Sequence, residues 1–97
     1  MKIVFLPASL EDLEWMRQYY RDIFPEGKKN AAKHYRNAMA NLKENHLIGS
    51  PSEAVPELRE YPIARTPFSL VYHLRPDEIR ILQVKDQRSS RATRLPR

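Results

Sequence analysis

The sequence predicts a single α+β domain, composed of an N-terminal strand, an antiparallel helical hairpin and a three-stranded antiparallel meander that completes one sheet. Within residues 9–48, apolar side chains recur every three or four positions, as in amphipathic helices. Within residues 58–84 the period changes to two, which is typical of strands with one buried face. A length of 97 residues leaves room for only one such core. The predicted architecture therefore has one sheet with the hairpin on one face.

The first strand is predicted over residues 2–6, where β-branched and aromatic residues precede Pro7. A helix is then predicted to begin at Ser9. The Ser9 hydroxyl would cap it, with Asp12 three positions later in a variant of the capping box.

The buried face of the first helix is predicted from residues three or four positions apart: Leu13, Met16, Tyr20 and Ile23. Trp15 and Tyr19 fall beside this face. They are predicted to form an exposed aromatic patch of the kind found in protein interfaces.

The second helix follows the break at residues 25–27, and the short connection predicts that it runs antiparallel to the first. Its buried stripe is predicted to contain Ala31, Tyr35, Ala38, Met39, Leu42 and His46. Alanines on this helix are expected to allow close approach of the two helices. Gly49 and Pro51 supply the predicted stop signal.

Three strands are predicted after a loop at residues 50–56: one around residues 58–63, one over residues 68–74 and one over residues 79–84. Pro62 fits an edge or a bulge rather than the centre of a sheet. Residues 75–78 supply the turn of a tight hairpin.

The domain is predicted to span residues 1–88, followed by a basic tail at residues 89–97. From Lys85 to the end, the sequence contains five basic residues and one acidic residue. This segment therefore carries most of the net charge of +5. Few apolar residues occur there, and we expect the tail to be disordered unless an acidic partner binds it.

Composition narrows the function classes. The net charge of +5 favours anionic partners, which include nucleic acid, an acidic protein segment and a membrane surface. The absence of cysteine argues against disulfides and thiolate metal sites and favours the cytoplasm. His34, His46 and His73 show no metal-ligand spacing, so neither a metal nor another cofactor is expected. No run approaches the ~18 apolar residues of a transmembrane helix, and no membrane partner is expected.

Three segments carry a resemblance to a known family: LREYPI at residues 58–63, TPFSLVY at residues 66–72 and IRILQV at residues 79–84, followed by Arg88. Together with the order of strand, helical hairpin and three strands, these segments resemble the RelE/ParE superfamily of toxins from type II toxin–antitoxin systems. The resemblance extends from Leu6 to about Arg88.

Two branches of this superfamily differ in function. RelE-like members cleave messenger RNA on the ribosome, whereas ParE-like members poison DNA gyrase. The nuclease pattern has an arginine where this chain has Ser69, and lysines where it has Glu60 and Pro62. The expected late tyrosine falls near Thr93, and only the late arginine has a counterpart, Arg88. A glutamate at a phosphate site would repel the substrate.

The ParE-like branch is matched by residues 59–60, by residues 66–67 and by the start of the hairpin at residues 10–13. Residues 85–88 depart from the His-Gly-x-Arg-like ending of many members. The resemblance implies a toxin without covalent chemistry of its own that traps a gyrase–DNA cleavage intermediate. It also implies a ParD-like antitoxin that neutralises the toxin by direct binding in a hetero-oligomeric complex. Operator DNA would be contacted only through that antitoxin.

Candidate site residues come from the aromatic patch and from arginines whose planar guanidinium groups can pair with carboxylates or phosphates. The candidates for antitoxin binding are Trp15, Tyr19, Arg59 and Arg65, and those for target binding are Lys85, Arg88 and Arg91. Two other functions stay open on the sequence. One is a ribonuclease in which Arg65, Arg80 and Arg88 regroup around a substituted site, and the other is a nucleic-acid-binding module that uses the basic tail.

Overall fold

A computed structural model describes residues 1–88 of the chain. The elements, in chain order, are β1 (Lys2–Phe5), α1 (Pro7–Gln18), α2 (Lys28–Glu44), β2 (Ser50–Pro51), β3 (Arg59–Pro62), β4 (Phe68–Leu74) and β5 (Glu78–Asp86). A π-helical turn at Tyr19–Ile23 and a 3₁₀ turn at Pro25–Gly27 connect the two helices. The predicted α+β class is confirmed. The basic tail at residues 89–97 lies outside the described residues.

The five strands form one mixed sheet in the order β1-β5-β4-β3-β2. β1 runs parallel to β5, and the other neighbours are antiparallel. β2 was not predicted: Ser50 and Pro51, expected in a loop, pair with Glu60 and Arg59 of β3. Pro62 lies beyond the reach of this two-residue strand, so its missing N–H interrupts no pairing with β2. β3 is not the edge strand of the sheet, but at Pro62 it has a neighbour on the β4 side only.

A bulge in β5 decides which of its side chains face the helices. Val71 of β4 pairs with Gln83, but the next residue, Tyr72, pairs with Ile81, so β5 contains one extra residue. The alternation of faces shifts by one position beyond the bulge. As a result Val84 and Asp86 are buried, whereas Gln83 is exposed.

The core lies between the inner face of the sheet and the two helices. Its fully buried large side chains are Leu42, Ile63, Phe68, Leu70, Tyr72, Ile79, Ile81 and Val84. Met16, Tyr20, Ala31 and Ala38 complete it from the helical side, as their spacing predicted. Within residues 1–88, no helix is both long enough and apolar enough to cross a bilayer.

The start of α1 differs from the prediction. The helix begins at Pro7, whose fixed φ suits a first helical turn, and Leu6 occupies the cap position without a side-chain hydrogen bond. Ser9 is buried inside the helix and donates its hydroxyl to the Leu6 carbonyl oxygen. Asp12 does not complete a capping box, because its carboxylate accepts the backbone N–H of Val84 at 2.9 Å.

Two residues predicted on helical core faces lie elsewhere. Ile23 is 59% exposed, because the π-helical turn, closed by the Phe24 N–H on the Tyr19 carbonyl, shifts the helical phase. His46 lies beyond α2, which ends at Glu44 because the backbone of Asn45 is extended.

The loop after α2 is held to the sheet by one buried phenol. The Tyr72 hydroxyl donates to the His46 carbonyl oxygen and accepts the Gly49 N–H, both at 2.9 Å. A Cβ atom on Gly49 would lie 2.8 Å from the Glu60 carbonyl oxygen and 2.8 Å from the Tyr72 hydroxyl oxygen. Only glycine therefore allows this close approach.

We expect Gly49→Ala to lower the free energy of unfolding by about 1–3 kcal/mol, because the added methyl group overpacks a buried site. Ser50→Ala, at the neighbouring exposed residue, should change it by less than about 0.5 kcal/mol. Urea denaturation followed by circular dichroism measures both variants. An unchanged midpoint for Gly49→Ala would contradict the described contacts.

Candidate functional site

An apolar groove of about 480 Å³ lies between α1, the π-helical turn and the beginning of α2. Its apolar lining consists of Leu13, Met16, Tyr20, Ala31, Ala32 and Tyr35. Ala31 and Ala32 are too small to fill the space in front of α1. The alanines that predicted close helix approach therefore leave a groove at this end of the hairpin.

The rim of the groove is basic. The lining is completed by three basic side chains: Arg17 from α1, Arg21 from the π-helical turn and Lys28 from α2. Arg17 pairs with Glu14 at 3.3 Å, and Arg21 pairs with Asp22 at 3.1 Å. Both pairs are exposed, and such pairs contribute little stability. The guanidinium groups can therefore exchange these carboxylates for those of a partner.

The two tyrosines of the groove remain neutral hydrogen-bonding groups. Burial raises the pKa of Tyr20, and the neighbouring Tyr19 adds to this effect. Burial also raises the pKa of Tyr35, although the positive charge of Arg17 opposes it. The groove therefore combines an apolar floor, protonated phenols and a cationic rim.

A second cluster surrounds Asp86 at the end of β5. Its carboxylate is almost completely buried and accepts the indole N–H of Trp15 at 3.1 Å. It also accepts the backbone N–H of Arg88 at 3.1 Å and the Nε–H of the Arg88 guanidinium at 2.9 Å. The guanidinium carbon of Arg88 lies 4.2 Å from the centre of the Tyr19 ring, in a cation–π contact.

This cluster changes the interpretation of the aromatic patch. Trp15 and Tyr19 are half-buried rather than exposed, because Trp15 contacts Asp86 and Tyr19 packs edge-on against Phe68. Their side chains support the C-terminal end of β5. Spacing along the helix could not reveal this contact, since Asp86 lies 71 residues from Trp15.

The hydrogen bonds to Asp86 control its ionisation. Burial alone would raise the pKa of this carboxyl group. The hydrogen bonds from the Arg88 side chain and backbone and from Trp15 outweigh the burial effect, and together they lower the pKa to about 2. Asp86 is therefore ionised at all physiological pH values, and the Arg88 guanidinium is its counter-ion.

The other candidate residues lie apart from this cluster. Arg59 donates to the carbonyl oxygens of Leu47 and Gly49 and so holds the loop after α2. Lys85 pairs with Glu60 at 3.2 Å on the outer face of the sheet. Arg65 is exposed in the turn between β3 and β4, with a φ of 62°. Arg91 lies outside the described residues.

The positions that differ from the nuclease pattern also have structural partners. Ser69 is buried and accepts a hydrogen bond from the Gln87 side chain at 2.7 Å. The Glu60 carboxylate forms an ion pair with Lys85. Arg80 pairs with Glu78 and lies six residues before Asp86 on the same strand, which is about 20 Å. Arg80 therefore cannot regroup with Arg88 around one phosphate.

Sequence reasoning missed most of the groove. Its basic rim residues, Arg17, Arg21 and Lys28, are not among the candidate residues from the sequence. The available signal was the four-residue spacing of Arg17 and Arg21 beside the apolar stripe, with Lys28 three residues before Ala31. The groove itself depends on the distance between two helices, which spacing along one helix does not give.

Comparison with known proteins decides the family. The family model described as "ParE toxin of type II toxin-antitoxin system, parDE" matches residues 3–91. The chain belongs to the ParE toxin family. A search of curated proteins found no match to the chain.

Solved structures support the assignment to the ParE family. The chain is similar to one from "Chromosomal ParDE TA system from P. aeruginosa", with a TM-score of 0.71 and 27% identity over 89% of this chain and 95% of that chain. It also shares its fold with "YoeB/ParE toxin from Agrobacterium tumefaciens", with a TM-score of 0.61 and 15% identity over 89% of this chain and 98% of that one.

We expect Asp86→Asn to lower the free energy of unfolding by about 2 kcal/mol at pH 7, because the ionised carboxylate binds its donors more strongly than an amide does. A carboxyl group with a lowered pKa stabilises the fold above its ordinary pKa of 3.8, and this contribution is lost as the pH falls through about 2. The difference from the unmodified chain should therefore shrink between pH 4 and pH 2.

Urea denaturation at a series of pH values tests this expectation. The matched control is Asp22→Asn, which removes an exposed carboxylate paired with Arg21 and should cost less than about 0.5 kcal/mol. A difference for Asp86→Asn that stays constant down to pH 2 would show that its effect is not electrostatic.

Proposed function

We propose that this ParE-family toxin is neutralised by an antitoxin segment bound in the groove between the helices and that its target is DNA gyrase. The observation that carries the antitoxin proposal is the apolar groove with the cationic rim of Arg17, Arg21 and Lys28. An amphipathic helix places apolar side chains into such a groove, and acidic residues beside them pair with the rim. Opposite charges also increase the association rate.

The proposed complex is a hetero-oligomer with a ParD-like antitoxin. Operator DNA would be contacted through the DNA-binding part of that antitoxin. We place the complex in the cytoplasm, where gyrase and chromosomal DNA are found. Two candidates from the sequence have other proposed roles. Tyr19 would position the π-helical turn that lines the groove, and Arg88 would hold the end of β5 against Tyr19.

Gyrase is favoured over RNA as the target because the residues that replace the nuclease groups are engaged in the fold. A phosphodiester cleavage site needs positive and titratable groups that converge on one phosphate. Here Ser69 is buried, Glu60 pairs with Lys85, and Arg80 is distant from Arg88. The proposed mechanism is therefore binding that stabilises a gyrase–DNA cleavage intermediate, without covalent chemistry by the toxin.

Induction of the toxin alone in a bacterial host tests the target. We expect covalent gyrase–DNA cleavage complexes to accumulate, while total messenger RNA stays intact during the first minutes. Fragmented transcripts with normal plasmid supercoiling would contradict the gyrase proposal and would favour a ribonuclease.

We expect Ala32→Trp to weaken antitoxin binding at least about tenfold, because the indole fills the groove that an antitoxin helix needs. The control variant is Ala54→Trp, which adds the same side chain at an exposed alanine outside the groove. Titration calorimetry with the cognate antitoxin measures both, and growth assays with co-expressed antitoxin show whether Ala32→Trp escapes neutralisation. Equal affinities for the two variants would place the antitoxin elsewhere.

A further inference from the structure

The charge of the described domain is concentrated on one helix. α2 carries five basic residues and the single acidic residue Glu44, which gives this helix a net charge of +4. The basic residues are Lys28, Lys29, Lys33, Arg36 and Lys43, and none of them has an ion-pair partner within residues 1–88. The segment from Lys85 to the end of the chain also has a net charge of +4. A second concentration of equal size therefore lies on an ordered element.

Four of these cations form one row. Lys29, Lys33, Arg36 and Lys43 follow steps of four, three and seven residues, which keeps them on one side of a helix. All four are exposed, and they lie opposite the buried Ala31, Ala38 and Leu42. The exposed Ala40 occupies the one vacant position in the row. The row extends over residues 29–43, and the 14 steps of about 1.5 Å between its ends correspond to about 21 Å of helix.

The composition around this row does not fit a protein partner. None of the large apolar side chains exposed in residues 1–88 lies on α2. Protein interfaces depend on apolar or aromatic anchors, and lysine is depleted from their centres. The row offers cations and no such anchor.

A single-stranded nucleic acid also fits poorly, because proteins bind unpaired bases by stacking them on aromatic side chains. The one aromatic residue of α2, Tyr35, lines the groove on another side of the helix and is half-buried. A duplex instead presents regularly spaced phosphates, about one per 3.4 Å of axis on each strand. Lysine and arginine bind these phosphates without reading the sequence.

We propose that the row of Lys29, Lys33, Arg36 and Lys43 binds the phosphate backbone of double-stranded DNA independently of its sequence. This activity goes beyond the proposed gyrase and antitoxin interactions, and it does not depend on either of them. In a complex where the target already holds DNA, the same contact would add affinity for the bound duplex.

The test uses the full-length chain, a fluorescently labelled 20-base-pair duplex and anisotropy titrations at several salt concentrations. The variant Lys33→Gln/Arg36→Gln removes two cations from the row. The control Lys2→Gln/Arg75→Gln removes two exposed cations outside the row, so both variants have a net charge of +3 and keep the tail. Circular dichroism verifies that both fold.

We expect the row variant to bind the duplex at least about tenfold more weakly and to reduce the slope of log K against log salt by about 1.8, since each phosphate contact contributes about 0.9. The control variant should keep the slope of the unmodified chain. The variant Ala40→Lys adds a cation to the vacant position and should increase the slope by about 0.9. Duplexes of unrelated sequence should bind equally well.

Three results would overturn the proposal. An equal loss in both double variants would assign the binding to net charge alone, and no loss in either would assign it to the tail. Poly-glutamate that binds through the row, with no binding of the duplex, would identify an acidic polypeptide as the partner. Because neither gyrase nor antitoxin is present, none of these results affects the proposed target.

Discussion

The attachment of β5 to α1 is the interaction on which the rest of this structure depends. β5 lies between β1 and β4, and two carboxylates connect it to the helix: Asp12 accepts the Val84 N–H, and Asp86 accepts the Trp15 indole N–H. The bond to Asp86 requires the bulge in β5, which turns the side chains of Val84 and Asp86 towards the helices. Without the bulge, the Asp86 side chain would lie on the outer face of the sheet and lose its hydrogen bond from Trp15.

The same attachment relates the two functional regions of the molecule. Arg88 stacks on Tyr19, and the next residue, Tyr20, lines the groove. The two tyrosine rings lie edge to face, with centroids 4.8 Å apart. Both belong to the π-helical turn, a feature that often occurs at functional sites. The groove and Arg88 are therefore both in contact with one short element.

Charge divides the surface of α2 into two regions. Lys28 belongs to the rim of the groove, together with Arg17 and Arg21, whereas the row that begins at Lys29 lies on the opposite side from the core. An antitoxin helix in the groove and a duplex along the row would contact different sides of the same helix. Ala32 of the groove lies one turn before Arg36 of the row, so the two surfaces are neighbours on the helix.

Periodicity by itself determined the helices, most of the strands and core residues such as Met16 and Leu42, because the geometry of helices and strands acts over neighbouring residues. The three strand segments also carried the resemblance to the superfamily, and residues 59–60, 66–67 and 10–13 favoured its ParE-like branch. Only the tertiary structure decided the pairing of β2, the bulge in β5, the half-buried state of Trp15 and the width of the groove. Each of these depends on contacts between residues far apart in sequence, whose free energies no local pattern contains.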